Sequence, residues 1–170
     1  NSTVVKEMGQ ALDAFEAAMP GARRMPIRVT GPDGRPRDAS WLLLPGAVGV
    51  VELASTSGIE MLGADLQPWD ADTMGFGQAI VAALDHGVSR LLLGIGSSAS
   101  TDGGAGLLRA LGARVVDAEN RPVLPGARGL ADIARVVLTA LRPLPPGGVM
   151  VLSDVTNPLS GPNGAAAVFG

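Results

Sequence analysis

The chain has 170 residues, 46% of them apolar but only 3% aromatic, which is enough for one globular domain with a core filled mainly by aliphatic side chains. A formal charge of −3 with no basic block argues against nucleic-acid binding, and the lack of cysteine excludes disulfides and thiolate metal sites. No apolar run approaches the roughly 20 residues of a membrane helix and no signal peptide is evident, so a cytoplasmic protein without membrane contact is expected; the first residue is not Met, so processing or excision from a longer chain is expected too.

Met8, Leu12, Phe15 and Ala18 recur at helical spacing, predicting a helix from Met8 to Met19 that Pro20-Gly21 ends. Ile27 to Thr30, the turn Gly31-Pro32-Asp33-Gly34 and Ala39 to Leu44 read as a β-hairpin. Val48 to Leu53 reads as a strand carrying Glu52, an unusual residue to bury, and Ser55 to Gly58 as a polar loop. Gly75 to His86 is predicted helical, with Phe76, Ile80, Ala83 and Leu84 on one face and Gly87 as its left-handed end. Arg90 to Leu93 is a strand, and Leu107 to Leu111 lies in a helix. Arg114 to Val116 is a short strand ending in Asp117, and Pro122 to Gly129 is loop. Leu130 to Leu141 is predicted as a helix stopped by Pro143, and Gly148 to Leu152 as a last strand. The fold class expected is α/β, with a mixed sheet: antiparallel in the first half, alternating strand and helix in the second.

Between the strand at Arg90 and the helix at Leu107 runs Gly94-Ile95-Gly96-Ser97-Ser98-Ala99-Ser100-Thr101-Asp102-Gly103-Gly104-Ala105-Gly106. Glycines let backbone approach an anion, and the first amides of a helix point at it. The serines and Thr101 add hydroxyls, and Asp102 adds a carboxylate, which suits phosphate only if a cation or a proton transfer is involved. A second polar loop, Ser153 to Gly164, follows the last strand and supplies Asp154, Asn157 and Asn163. In open α/β sheets ligands bind at the carboxyl ends of strands, where both loops are expected.

Other readings stand beside this one. Gly94-x-Gly96-x-x-Ala99 with Asp117 further on resembles a dinucleotide fingerprint, although Ser100 to Gly104 separates it from the helix. Asp102 could be a helix cap, Asp154 could cap the turn before Pro158, and Glu52 could pair with an arginine. Thr73, Gly75 and Gly77 could simply start a helix, and His86 fits a structural place at a helix carboxyl end.

Four blocks in this order resemble the bacterial type I glycerate kinase family: Val51 to Gly58; Thr73-Met74-Gly75-Phe76-Gly77-Gln78; Gly94 to Gly106 with Leu111-Gly112-Ala113; and Asp154 to Ala165 with Val168-Phe169-Gly170. Arg28 to Pro32 and Leu12 to Phe15 fit as well. The family's loop reads Gly-Ile-Gly-Gly-Ser-Ala-Thr-Asn-Asp-Gly-Gly, so Ser97 stands in place of a glycine, Ser100 of a threonine and Thr101 of an asparagine. The Asp-Gly-Gly-Glu-Gly-Thr motif expected ahead of Leu12 is replaced by Lys6 to Gln10, so the chain looks like the central part of such a kinase, residues 1–170 forming one domain of a two-domain fold.

The resemblance implies transfer of a phosphoryl group from ATP to a hydroxyl of D-glycerate, with Mg²⁺. It implies Asp102 as general base or Mg²⁺ ligand and Asp154 as a second carboxylate acting through Mg²⁺. Gly94, Gly96, Ser97, Ser98, Ser100, Thr101, Gly103 and Gly104 would contact phosphate or substrate oxygens, as would Asn157 and Asn163. Glu52 and Thr73 stand in a second tier. A nicotinamide-dependent oxidoreductase and a non-catalytic piece of a kinase are the alternatives.

Overall fold

The structure is a computed structural model, and it describes residues 11–153, 157–158 and 161–164. The hairpin forms as its alternation predicts. Strand β1 (Arg23–Thr30) pairs antiparallel with β2 (Pro36–Leu44), Ile27 opposite Ala39 and Thr30 opposite Pro36. Pro26 sits in β1 without breaking a ladder on both sides, because β1 is the outer strand of the sheet. β2 continues antiparallel into β3 (Val48–Glu52), with Leu42 opposite Val50.

From there the sheet becomes parallel. β4 (Arg90–Gly94) lies beside β3, and β7 (Val149–Leu152) beside β4. The order β1-β2-β3-β4-β7 is therefore antiparallel in its first half and parallel in its second, as the α/β pattern implies. The parallel step from β3 to β4 needs a long crossover, which is supplied by a one-turn helix, α2 (Ala54–Ser57), and by α3 (Met74–His86). Helix α1 (Ala11–Ala18) precedes the hairpin.

Successive residues of β2 serve opposite faces. Trp41 and Leu43 join Val51, Leu91 and Leu93 under Phe76, Ala79, Ile80 and Ala83 of α3. Leu42 and Leu44 join Val50 beneath Leu12 and Phe15 of α1. β3 is buried on both faces, which is why it reads as a continuous apolar run. Gly87 ends α3 at φ 87°, its N–H donating to Ala83 O, as its position predicts.

A short helix, α4 (Ala105–Ala110), crosses the start of α3 at close range. A Cβ added to Gly77 would lie 2.6 Å from Ala110 Cβ and 2.8 Å from Leu107 O.

Two expectations are corrected. Ser55 to Ser57 is helical rather than loop: the Ser55 and Thr56 hydroxyls donate to the Glu52 carbonyl at 2.9 and 3.2 Å and bend the chain into a turn. Leu130 to Leu141 is not a helix. A 3-10 turn, Ala127–Asp132, leads into β6 (Arg135–Val137), which pairs antiparallel with β5 (Arg114–Val116). Ala134 N–H donates to Val116 O at 2.9 Å, and the β-branched Val136 and Val137 suit the pairing, so a partner strand outweighs the helical spacing of the apolar residues.

Gly77→Ala is expected to destabilise the fold by about 1–3 kcal/mol, because α3 and α4 must separate to admit the methyl group. Urea unfolding checks this; an unchanged midpoint would mean the two helices are not held at this distance.

Candidate active site

The carboxyl ends of the three parallel strands lie level. Glu52 of β3 is in register with Gly94 of β4, and Gly94 with Leu152 of β7. Leu53 N–H donates to Gly94 O at 2.9 Å and Ile95 N–H to Leu152 O at 3.1 Å, so the chain leaves all three strands at one edge. Leu53, Ile95 and Ser153, where the chain leaves these strands, thereby lie along the edge where open α/β sheets bind ligands.

The glycine-rich segment rests on the first of these. Ile59 N–H donates to Ser97 O at 2.9 Å and Ala99 N–H to Ser57 O at 3.0 Å. Ser97 adopts φ 52°, a left-handed conformation at the place where the family's motif has glycine. Ser98 and Ser100 engage each other: their hydroxyl oxygens are 2.9 Å apart, and Ser100 N–H donates to Ser98 Oγ at 3.1 Å. Thr101 Oγ1 donates to Pro68 O at 2.6 Å. Gly103 and Gly104 lie at φ 60° and 81°, left-handed conformations that side chains resist.

Asp102 is 2% exposed and surrounded by donors. Its Oδ2 accepts from Thr73 N–H at 3.0 Å, Thr73 Oγ1 at 2.8 Å and Gly106 N–H at 3.0 Å, and its Oδ1 accepts from Gly104 N–H at 3.0 Å. Thr73 Oγ1 in turn accepts from Leu107 N–H at 2.9 Å. One carboxylate thus binds the amino ends of α3 and α4, and Gly106 is required there because a Cβ would stand 2.6 Å from Met74 N. The cap reading and the cluster with Thr73 are parts of one arrangement.

Gly94 faces Glu52, whose side chain is buried; a Cβ on Gly94 would approach Glu52 Cγ to 3.9 Å. Gly96 lies half-buried in the same loop. Asn157 Nδ2 donates to Asn163 O at 3.1 Å, so these two belong to one exposed turn. Asp154 lies outside the described residues. His86 is exposed at the end of α3, its ring edge-on to Trp41, in keeping with a structural place.

The dinucleotide reading is corrected. No helix opens at Gly96; the next one starts at Ala105. Asp117 accepts from the Glu119 and Arg121 N–H groups and from Arg121 Nε, so it closes its own turn instead of awaiting a ribose. Among the described residues, no set of three or more His, Asp or Glu side chains could by itself hold a metal ion.

Sequence reasoning missed Asp72, Ser57 and Gln78 as contributors. Asp72 is buried, and Oδ1 accepts from Met74 N–H at 2.9 Å; an Asp ahead of a helix was the available signal. Burial raises its pKa above the ordinary carboxylate value, the Met74 N–H opposes this, the Asp102 charge adds to it, and the Arg109 charge opposes it. Gln78 accepts from Thr30 N–H at 2.7 Å and donates to Thr30 Oγ1 at 3.2 Å, fixing α3 to the end of β1; an amide on an otherwise small and apolar helix face was its signal. Ser57 Oγ is buried without a hydrogen-bond partner, and nothing in the sequence marks it.

An open mixed sheet with a polar, glycine-rich segment at its carboxyl edge defines an α/β protein. The chain belongs to the glycerate kinase family, whose family model matches residues 9–170. It is 42% identical over 145 residues to a glycerate kinase of Bacillus subtilis, covering 84% of this chain and 38% of that protein. It is 38% identical over 162 residues to a glycerate 2-kinase of Escherichia coli, covering 94% of this chain and 42% of that one. A crystal structure from Salmonella typhimurium LT2, described as a glycerate kinase 2, superposes with a TM-score of 0.88 at 38% identity, covering 93% of this chain and 43% of its own. The chain therefore spans about two fifths of the length of these relatives. Among the described residues, no helix is long and apolar enough to cross a membrane.

Asp72→Asn tests the electrostatics of the cluster. A raised carboxyl pKa favours the fold only where the group is protonated, and that contribution is lost as pH rises through the folded-state value. The Tm difference between Asp72→Asn and the parent should therefore move in the variant's favour from about pH 4 to about pH 7. A difference that does not change with pH would contradict the raised pKa.

Proposed function

We propose that this chain supplies the central part, residues 1–170 as one domain, of a glycerate kinase. The reaction moves the terminal phosphoryl group of ATP to a hydroxyl of D-glycerate and gives a phosphoglycerate. The observation that carries this reading is the family's glycine- and hydroxyl-rich segment, Gly94 to Gly104, standing at the carboxyl edge of the sheet.

Phosphoryl transfer asks a protein mainly for positioning and for stabilisation of charge on oxygen. In this reading the backbone at Gly94, Gly96, Ser97 and Gly103, with the hydroxyls of Ser98 and Ser100, meets phosphate or glycerate oxygens, while Thr101, whose hydroxyl is committed to Pro68 O, contributes by fixing the loop. Asn157 and Asn163 hold substrate or phosphate oxygens. Gly104 N–H is committed to Asp102, so Gly104 contributes through its backbone turn. Thr73 and Glu52 act from beneath, Thr73 by holding Asp102.

For Asp102 to take the proton of the glycerate hydroxyl, its carboxylate must give up some of its four donors. In its closed arrangement it positions the loop and the two helix ends. The described carboxylates do not make a seat for Mg²⁺: Asp102 is enclosed, and Asp72 is buried beside it. The ion enters this reading only with the phosphates of ATP and with Asp154, and no step is routed through it.

The test is ADP release from Mg-ATP by the purified chain, with and without D-glycerate. Release that depends on glycerate supports the reading. Its absence favours a non-catalytic part of the kinase. Where release occurs, Asp102→Asn should lower turnover at least about 10²-fold. It should also cost about 1–3 kcal/mol of stability, since an amide NH₂ would face the donors that the carboxylate now accepts. A folded Asp102→Asn protein that keeps its turnover would remove Asp102 from the mechanism.

A further inference from the structure

Beside the outer flank of α4 lies a cavity of about 300 Å³, lined by Met74, Arg109, Ala113, Arg114, Val115, Val116 and Pro122. Its floor is apolar: Ala113, Val115 and Val116 are buried. Its charged lining residues are Arg109 from α4 and Arg114 from the start of β5.

The Arg109 charge acts on the buried Asp72, whereas Arg114 and Arg135 share a neutral partner. Arg114 Nη2 donates to Asn120 Oδ1 at 3.3 Å, and Arg135 Nη2 donates to the same oxygen at 2.7 Å. Two guanidiniums thus converge on one neutral acceptor. The acidic residues of that turn are taken elsewhere: Arg121 pairs with Asp117 and with Glu119, at 2.8 and 2.9 Å. Among the described residues, no carboxylate forms an ion pair with Arg109, Arg114 or Arg135. Elsewhere Arg24 pairs with Asp13 and Glu16, Arg128 with Asp70 and Arg142 with Asp85.

We propose that this cavity is a second ligand site, which takes a small phosphomonoester with an apolar or planar body. The body would lie on Val115, Val116 and Pro122, and the phosphate would sit where Arg114 leaves the cavity wall, displacing Asn120 as the acceptor that Arg114 shares with Arg135. A phosphate fits better than a carboxylate, because two forked guanidiniums that already converge on one acceptor, with Arg109 on the same cavity wall, offer more donors than two oxygens can accept. The site does not depend on the kinase reading. It does touch the same framework: Met74 lines the cavity and follows Thr73, which holds Asp102, while Arg109 belongs to the helix whose amino end Asp102 caps.

Phenyl phosphate is the probe, with inorganic phosphate and benzoate in parallel, titrated into the purified chain and followed by NMR or calorimetry without ATP or glycerate. Saturable binding is expected for phenyl phosphate, at least about tenfold weaker for each of the other two. Asn120→Asp places a carboxylate where the guanidiniums converge. It should weaken phenyl phosphate by at least about tenfold while leaving the fold intact or more stable. Arg114→Gln with Arg135→Gln should weaken it similarly. No saturable binding, equal binding of benzoate, or binding unaffected by Asn120→Asp in a folded protein would each overturn the proposal. Loss of ADP release with binding retained would instead speak against the kinase reading alone.

Discussion

Taking a carboxylate out of water costs several kcal/mol unless donors replace the water. Asp102 meets that condition with three backbone N–H groups and one hydroxyl, drawn from two separate stretches of chain. Both helices that start at this edge need donors satisfied at their first turns, and one side chain serves both. The close crossing of α3 and α4 through Gly77 and Gly106 follows from this, because the two amino ends must meet around a single carboxyl group. The loop ahead of it follows too, since Gly103 and Gly104 must turn left-handed to bring their backbone round the carboxylate.

The sheet places that knot. Glu52, Gly94 and Leu152 end level because β3, β4 and β7 are parallel and in register. Gln78, bound to Thr30, joins the antiparallel half of the sheet to the helix that carries Thr73, and the hairpin turn after Thr30 leaves the sheet at this same edge, because β1 runs in the direction of β3. A buried acidic pair, Asp72 with Asp102, stands behind the loop, and Asp72 bears the electrostatic cost through a raised pKa.

Strands with strict alternation or apolar runs bounded by glycine were legible from sequence, as in Ile27 to Thr30 and Val48 to Glu52, because burial on one or two faces leaves a periodic trace. β6 was not legible. The apolar residues of Leu130 to Leu141 fit helical spacing, and only the presence of β5 as a partner decides for a strand. Asp102 was legible as a residue of consequence, but a cap and a reacting carboxylate look alike in sequence; the four donors are gathered from positions up to 29 residues away. Ser57 left no trace at all, since a serine in a polar stretch reads as solvated. The family was readable from the order and spacing of its blocks, whereas residue chemistry alone kept the dinucleotide fingerprint open until the start of α4 was known.

Ser97 carries a consequence for how this loop can change over generations. Its φ of 52° costs a residue with a Cβ about 1–2 kcal/mol that glycine would not pay. The position is thereby open to glycine, asparagine or aspartate and closed to valine, isoleucine and threonine, whose branched Cβ atoms fit that conformation worst. Drift at the tip of the loop is funnelled into a handful of small residues, while its neighbours Ser98 and Ser100 are held by each other. A lineage that keeps serine here carries a hydroxyl at the cost of backbone strain, and a single codon change to glycine releases that strain and gives up the hydroxyl.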